Sequence, residues 1–239
     1  MVDVRKKVEE ITPEITRMRV HIHEYPELSM KEYNTCALLE DYIKKNVKYD
    51  RLKRVGETGL FFELKGTKPG NGPTIVFRGD IDALPIQEDE HMSPRSKVPG
   101  VMHACGHDVH GTINVGAAKI LSEMKDQFSG SIYFFIQPAE ETLQGAKLFL
   151  NDSEIDFDKI DAVAALHVSA ELDAGTIGVR YGAILASADE IRIRINGKGG
   201  HGAHCHTLRD PIVASAAVIN ALQTLVSRET NPANAVVLS

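Results

Sequence analysis

Short apolar runs alternate along this chain with segments of helical periodicity, and this alternation constrains the fold more than any other feature. Short apolar runs lie at 59–64, 74–77, 131–136 and 162–166. The first two are rich in β-branched and aromatic side chains, and the last two are each short enough to be a buried strand. Helical patterns lie at 4–24, 31–45 and 107–124, where apolar residues recur at steps of three and four. Strands that alternate with helices build a sheet covered by helices on its faces. We therefore predict an α/β fold with a mostly parallel central sheet flanked by helices.

The pattern changes near residue 187. Isoleucine alternates with charged residues over 190–196, which predicts a strand buried on one face only. Asp210 as N-cap and Pro211 at the first helical position predict a helix that runs to Arg228, and 235–238 is typical of a strand. We predict a first domain over 1–184 and the beginning of a smaller α+β domain over 185–239.

Composition narrows the class of protein. The net charge is −6, with 27 Lys and Arg against 33 Asp and Glu, so the chain has no basic surface for nucleic acid. The longest apolar stretch, 212–226, is interrupted by Asn220 and Gln223 and is too short to cross a membrane. Three widely spaced cysteines are not the disulfide framework of a small secreted domain. We expect a cytoplasmic protein that binds neither nucleic acid nor membrane.

Chemically active side chains follow the predicted strands. Asp80 and Asp82 come after the run at 74–77, Glu140 and Glu141 after the run at 131–136, and His167 after the run at 162–166. Parallel strands place their carboxyl ends at one edge of a sheet, where binding sites form. We expect these side chains to lie close together.

Residues 102–110 (MHACGHDVH) hold the densest group of candidate metal ligands. Thiolate, imidazole and carboxylate are ligand types that Zn²⁺, Mn²⁺ and Co²⁺ accept. For Cys105 and His107 together we favour metal binding. For His103 and His110, each taken alone, we favour a structural or surface role.

Glu140 and Glu141 are adjacent carboxylates in the segment 137–141 (QPAEE). They fit a solvated acidic loop equally well as a pair with divided roles, in which one carboxylate binds metal and the other removes a proton from water. A lone histidine such as His167 is structural more often than not, and its place at the same predicted edge as Glu141 is what suggests a function.

Taken in order, the motifs resemble one family. The motifs are 21–29 (HIHEYPELS), 78–85 (RGDIDALP), 103–108 (HACGHD), 137–141 (QPAEE), 166–168 (LHV) and 197–203 (GKGGHGA). They are similar to those of the metal-dependent amidohydrolases that include hippurate hydrolases, indole-acetyl-amino-acid hydrolases, N-acetyl-diaminopimelate deacetylases and related carboxypeptidases. The resemblance spans essentially the whole chain.

The resemblance implies a function and a set of roles. It implies hydrolysis of the amide bond of N-acyl amino acids or small peptides with two divalent metal ions, Zn, Mn, Co or Ni. The implied metal ligands are Cys105, His107, Glu141 and His167. Glu140 would be the general base, Asp82 would orient a ligand, and His201 would reach the reacting carbonyl. The smaller domain over 185–239 would be the first part of a lid that also forms a homodimer.

Two features depart from the family pattern. Cys205 stands where the family's lid motif usually has proline, which we interpret as a loop variant rather than a surface metal site. The family also has a further metal-binding histidine in a segment that follows the lid, and we expect these 239 residues to be the amino-terminal part of a longer protein. We expect the fragment alone to bind metal weakly and to catalyse poorly.

Two other functions stay open from the sequence. Cys105 with a nearby histidine would be the minimum equipment of a cysteine hydrolase, although this leaves Glu140, Glu141 and His167 without roles. A metal-binding module without catalysis is the second alternative, although such a module would not need the unligated base Glu140.

Overall fold

A computed structural model describes residues 3–182, 184, 187 and 189–239. The chain divides into two compact units, Met1–Glu171 and Leu172–Ser239. The first unit contains helices α1 Val4–Glu24, α2 Tyr33–Asn46, α3 His107–Ser122 and α4 Gly145–Leu150. Its strands are β1 Arg51–Val55, β2 Gly59–Lys65, β3 Thr74–Asp80, β4 Ser131–Gln137 and β5 Ala162–Ala165, and two 3₁₀ turns cover Lys125–Gln127 and Phe157–Lys159.

The five strands form one sheet in the order β1-β2-β4-β3-β5. β3 pairs in parallel with β4 and with β5, whereas β2 is antiparallel to both β1 and β4. All strands except β2 therefore run in the same direction. This mixed α/β sheet flanked by helices confirms the predicted fold class.

The core lies on both faces of the sheet. Strand side chains alternate between the faces, so Leu60, Phe62 and Leu64 join the larger cluster beneath α1, α2 and α3, while Phe61 joins a smaller cluster with Phe149 of α4. The Phe62 and Phe134 rings stack at 4.6 Å between neighbouring strands. The sheet, packed on both faces, therefore supports the residues that follow its strands.

The three large helices of this unit confirm the helical patterns. α1 passes through Pro13 without a break, and the Thr12 hydroxyl donates to Val8 O at 2.7 Å. α3 begins after Gly106, whose φ of +85° few other residues adopt without strain. Its first residue is His107, so a candidate metal ligand stands at the helix start.

Two details of the first unit differ from prediction. β1 was not predicted, because three of its five residues are Arg or Lys and the segment therefore lacks the apolar pattern of a strand. The run at 162–166 was expected to be a buried strand, but β5 is exposed throughout, since it lies at the sheet edge with one neighbour among the described residues.

The second unit has helix α5 Pro211–Thr224, a π-helical turn Leu225–Glu229 and a 3₁₀ segment Gly202–Thr207. Asp210 caps α5 as predicted, with its carboxylate accepting from the Ile212 and Val213 amides. The predicted strands at 190–196 and 235–238 are wrong: these residues have no strand assignment. Within the described residues the one bridge of this unit joins Lys198 to Arg209, and a strand needs a longer ladder of backbone hydrogen bonds.

Among the helices of the described residues, none combines the length and the apolar character that a membrane crossing requires.

Candidate metal centre

The predicted site residues of the first unit gather at one edge of the sheet. β3, β4 and β5 end at the same edge, with Asp80 opposite Gln137 and Arg78 opposite Ala165. Asp82, the Glu140–Glu141 pair and His167 all follow these strand ends. The expectation that they lie close together therefore agrees with the topology.

His107 lies at the centre of the group. Its Nε2 atom is 3.9 Å from Glu140 Oε2, 3.9 Å from Glu141 Oε1 and 3.8 Å from Asp80 Oδ2. The His107 side chain is only 1% exposed, whereas those of Glu140 and Glu141 are 37% and 21% exposed. A buried imidazole thus faces two carboxylates that open to solvent.

Cys105 and His167 complete the group around His107. Cys105 Sγ lies 3.3 Å from His167 Nε2. Donor atoms of Cys105, His107 and His167 all lie within 4.8 Å of one another, as do those of His107, Glu140 and Glu141. Two triads that share one histidine are therefore available to cations.

Asp82 links the two parts of the site. Its carboxylate accepts from His107 Nδ1 at 3.1 Å, from the Glu140 amide at 3.0 Å, from the Glu141 amide at 3.1 Å and from the Ser29 hydroxyl at 2.7 Å. These contacts fix the His107 ring and the acidic loop together. With Nδ1 facing the Asp82 oxygens, Nε2 of His107 points toward the carboxylates.

Burial and negative charge dominate the electrostatics. Burial raises the pKa of Cys105 to about 11, and the charges of Glu141, Glu140 and Asp80 act in the same direction. Burial also raises the pKa of Glu141, against the opposing effect of His107. Burial would lower the pKa of His107, but the Asp82 hydrogen bond and nearby carboxylates outweigh it and raise that pKa. The site therefore favours added positive charge.

The donor set fits a metal. His107 Nε2 and Glu141 Oε1 are buried and have no hydrogen-bond partner within the described structure. Buried polar atoms nearly always have a hydrogen-bond partner. Two buried atoms that face each other without such a partner therefore indicate a binding site for a ligand. Thiol, imidazole and carboxylate donors at this spacing match the preferences of zinc and similar cations.

Glu32 was not identified from the sequence, and Asp80 was expected to lie near the site but was given no role there. Glu32 is fully buried, and its Oε1 accepts from the Ala139 amide at 2.8 Å. Ala139 has φ of +49°, a strained value for a residue other than glycine, so this contact stabilises the loop that carries Glu140. Asp80 accepts from His110 Nδ1 at 2.6 Å. No sequence motif pointed to Glu32, whereas the spacing of His107 and His110 on one helix face was a usable signal for His110.

His201 and His103 are not members of these groups of donor atoms. His201 is exposed in the second unit, where its Nδ1 accepts from the Ala203 amide at 3.2 Å. His103 is buried, burial lowers its pKa to about 4, and neither of its ring nitrogens has a partner among the described residues.

Comparisons with known proteins agree with this picture. The chain is 40% identical over 225 residues to the N-acetyl-L-cysteine deacetylase of Bacillus subtilis, covering 93% of this chain and 52% of that protein. It is 38% identical to the N-acyl-L-amino acid amidohydrolase of Geobacillus stearothermophilus, covering 99% of this chain and 63% of the relative. The chain therefore spans roughly half to three fifths of these relatives.

A solved structure gives the same result for the fold. The YXEP protein of Bacillus subtilis, described as a dinuclear metal binding peptidase from M20 family, superposes with a TM-score of 0.67 at 36% identity. The match covers 73% of this chain and 48% of that one. The model of Peptidase family M20/M25/M40 matches residues 76–237, more than half of the chain. The chain belongs to this peptidase family, as its ordered motifs indicated.

Proposed function

We propose that this chain is the metal-binding part of an amidohydrolase that cleaves the amide bond of N-acyl amino acids or small peptides. The observation that carries the proposal is the convergence of the Cys105–His107–His167 and His107–Glu140–Glu141 triads on one edge of the sheet. The deacetylase and amidohydrolase names of two relatives support the same substrate class.

Four residues would hold two divalent cations, Zn, Mn, Co or Ni. They are Cys105, His107, Glu141 and His167, which supply a thiolate, two imidazoles and a carboxylate. When bound, such cations lower the pKa of a water molecule toward ~7 and polarise a carbonyl group.

Glu140 is the residue that we assign to proton transfer. Its carboxylate accepts a proton from the attacking water as the new carbon–oxygen bond forms. It then delivers the proton to the leaving nitrogen as the carbon–nitrogen bond breaks. The half-exposed position of Glu140, with its backbone amide fixed by Asp82, suits a base that must meet substrate.

Asp82 acts in this proposal by orientation. It holds the His107 ring through Nδ1 and the acidic loop through two amides. Partners behind metal ligands fix their direction and raise their basicity.

The second part of the chain extends the proposal. We assign 1–184 to the catalytic domain and 185–239 to the first part of a lid through which two copies associate. His201 would bind the carbonyl oxygen of the substrate, as the motif at 197–203 suggests. Sedimentation of the protein with and without residues 185–239 tests the association.

We also propose a cytoplasmic location. Cys36, Cys105 and Cys205 are all free thiols, and a reducing compartment preserves them. Fractionation of cells that produce the protein tests this directly.

One observation favours a second function. Cys105 Sγ and His167 Nε2 are 3.3 Å apart, which is the contact that a cysteine hydrolase requires. The raised pKa of Cys105 opposes it, because the nucleophile must be the thiolate. A chelator separates the two functions: it abolishes a metal-dependent activity and leaves a cysteine hydrolase intact.

The decisive experiment combines binding with turnover. We expect the purified chain to bind two Co²⁺ with a thiolate-to-cobalt absorption band that Cys105→Ser removes. Its activity is then measured on N-acetyl, N-benzoyl and indole-acetyl amino acids with added Mn²⁺, Co²⁺ or Zn²⁺. Absence of Co²⁺ binding contradicts the metal centre, and Co²⁺ binding without turnover favours a metal-binding module.

A further inference from the structure

His110 is a buried histidine that the proposed function does not use. It lies one helical turn after His107 on α3 and is about 1% exposed. Both of its ring nitrogens have partners: Nδ1 lies 2.6 Å from Asp80 Oδ1, and Nε2 lies 3.0 Å from the backbone nitrogen of Val168. A buried ring with both nitrogens engaged is held in one orientation.

The partners of His110 define its protonation state. The Val168 amide can only donate, so Nε2 must present a lone pair, and Nδ1 must carry the proton that it donates to Asp80. Arg78 pairs with the other oxygen of Asp80 at 2.5 Å. Burial would raise the pKa of Asp80, but the His110 hydrogen bond and the Arg78 charge outweigh it and keep the acceptor ionised.

The contact reaches the residue next to a proposed metal ligand. Val168 follows His167, and the His110 and His167 rings lie 4.5 Å apart at an angle of 63°. His167 Nδ1 lies 2.6 Å from Val168 O, so its proton is directed there and Nε2 is free to face Cys105. The orientation of Nε2 in His167 therefore depends on where the Val168 backbone lies.

Among the described residues, the Val168 backbone has hydrogen bonds only with His110 Nε2 and His167 Nδ1. β5 ends at Ala165, and residues 162–168 are exposed apart from the partly buried Val168 amide. The neighbouring Gly106 leaves room for Val168, since a Cβ at Gly106 would lie 2.2 Å from Val168 Cγ2. The His110 hydrogen bond is thus the buried anchor of an exposed segment.

We propose that His110, held by Asp80, is a positioning residue that fixes the Val168 backbone and so directs His167 Nε2 toward the metal centre. This inference rests on the proposed function, because it assumes that His167 binds metal. Asp80, His107 and His110 also form a group of possible ligands. However, both nitrogens of His110 are already engaged, which favours positioning over direct ligation.

Two amide substitutions separate the contacts of His110. In His110→Gln the side-chain oxygen reaches the position of Nε2 and can accept from Val168. In His110→Asn the shorter amide occupies the position of Nδ1, so it keeps the Asp80 contact and loses the Val168 contact. Both variants lose the ring and differ in which contact remains, and His91→Gln at an exposed site is the control for loss of a histidine.

The measurement is Co²⁺ binding to the full chain, followed by competition with a chelator and by the thiolate-to-cobalt band. We expect His110→Gln to bind like the wild type. We expect His110→Asn to bind about 10- to 100-fold more weakly, the range seen when partners of metal ligands are removed. Melting of the metal-free variants checks that both are folded.

Each outcome decides the matter. If both variants bind like the wild type, or if both lose binding equally while folded, positioning through Val168 is wrong. If the wild type binds no Co²⁺, the proposed metal centre itself fails. A ¹⁵N NMR spectrum of histidine-labelled wild type tests the idea without a folded variant: we expect the Nδ1–H form of His110, and the Nε2–H form would overturn the inference.

Discussion

The candidate centre has a buried region and an exposed region, and they differ in what their residues do. Asp80, Asp82, His107 and His110 are each about 1% exposed and bond to one another or to backbone atoms. Glu140, Glu141, Cys105 and His167 lie on loops that are partly or fully exposed. In the proposed function, the buried region sets the direction of the side chains, because its geometry is rigid, and the exposed region holds the groups that we propose meet water and substrate.

The largest effect should come from the exposed region. Glu140→Gln should lower turnover of N-acyl amino acids by about 100- to 10,000-fold, because the amide cannot carry the proton. Its Co²⁺ stoichiometry should stay that of the wild type. Glu141→Gln is the matched control and should lose metal. Substantial turnover of metal-loaded Glu140→Gln would remove this residue from proton transfer.

A substitution in the buried region should act on metal binding instead. Asp82→Ala removes the acceptor of His107 Nδ1 and of the Glu140 and Glu141 amides, so metal affinity should fall about 10- to 100-fold. Calorimetric titration with Zn²⁺ measures this. An unchanged Zn²⁺ affinity in a folded variant would show that the buried region does not orient the metal ligands.

Glu32 offers a further test of the two regions. It supports the loop that carries Glu140 from the core and is not one of the proposed metal ligands. Glu32→Ala leaves the buried Ala139 amide without its acceptor, and the free energy of unfolding should fall by about 1–3 kcal/mol. Urea denaturation measures the change, with Glu57→Ala at an exposed position as control. Equal midpoints for the two variants would show that the loop is held by other contacts.

The smallest effect should come from His23, a buried residue behind the site. The Asp108 hydrogen bond raises the pKa of His23; burial opposes this and the Glu88 contact supports it. The other charged or titratable groups that face it are Arg19 and His103. A pKa that is higher in the folded chain stabilises the fold below the unfolded value of about 6.5, and this contribution disappears as pH rises through the folded value.

The difference in unfolding free energy between wild type and His23→Gln should therefore be largest near pH 6 and should shrink at higher pH. Chemical denaturation at a series of pH values measures it. A difference that grows with pH would show that His23 is neutral in the fold.

The sequence predicted most of the first unit. The apolar runs became β2, β3, β4 and β5, and the helical patterns became α1, α2 and α3, because local pattern and tertiary position agree there. β1 and the sheet order could not be predicted. A charged edge strand lacks an apolar signature, and sheet order depends on pairing between distant segments.

The site was predictable where residue type and strand position coincide. Glu140, Glu141 and His167 follow strand ends, His107 begins α3 and Cys105 lies two residues before it, so the topology brings these residues close together. Glu32 could not be predicted, because no periodicity encodes the direction of its side chain, and the spacing of His107 and His110 did not indicate that His110 pairs with Asp80. The strand predictions for the second unit were wrong. Alternation of apolar and charged residues indicates a segment that can pair with another strand, but it does not provide that neighbouring strand.

The edge position of β5 has a consequence for dynamics. A strand with one hydrogen-bonded neighbour opens at a lower free-energy cost than the central strands, so its amides should exchange with solvent early. His167 follows directly on this strand, and a cation held by His167 would oppose the opening by mass action. Deuterium uptake at 162–168 would then report site occupancy, since the sheet edge would close as the centre fills.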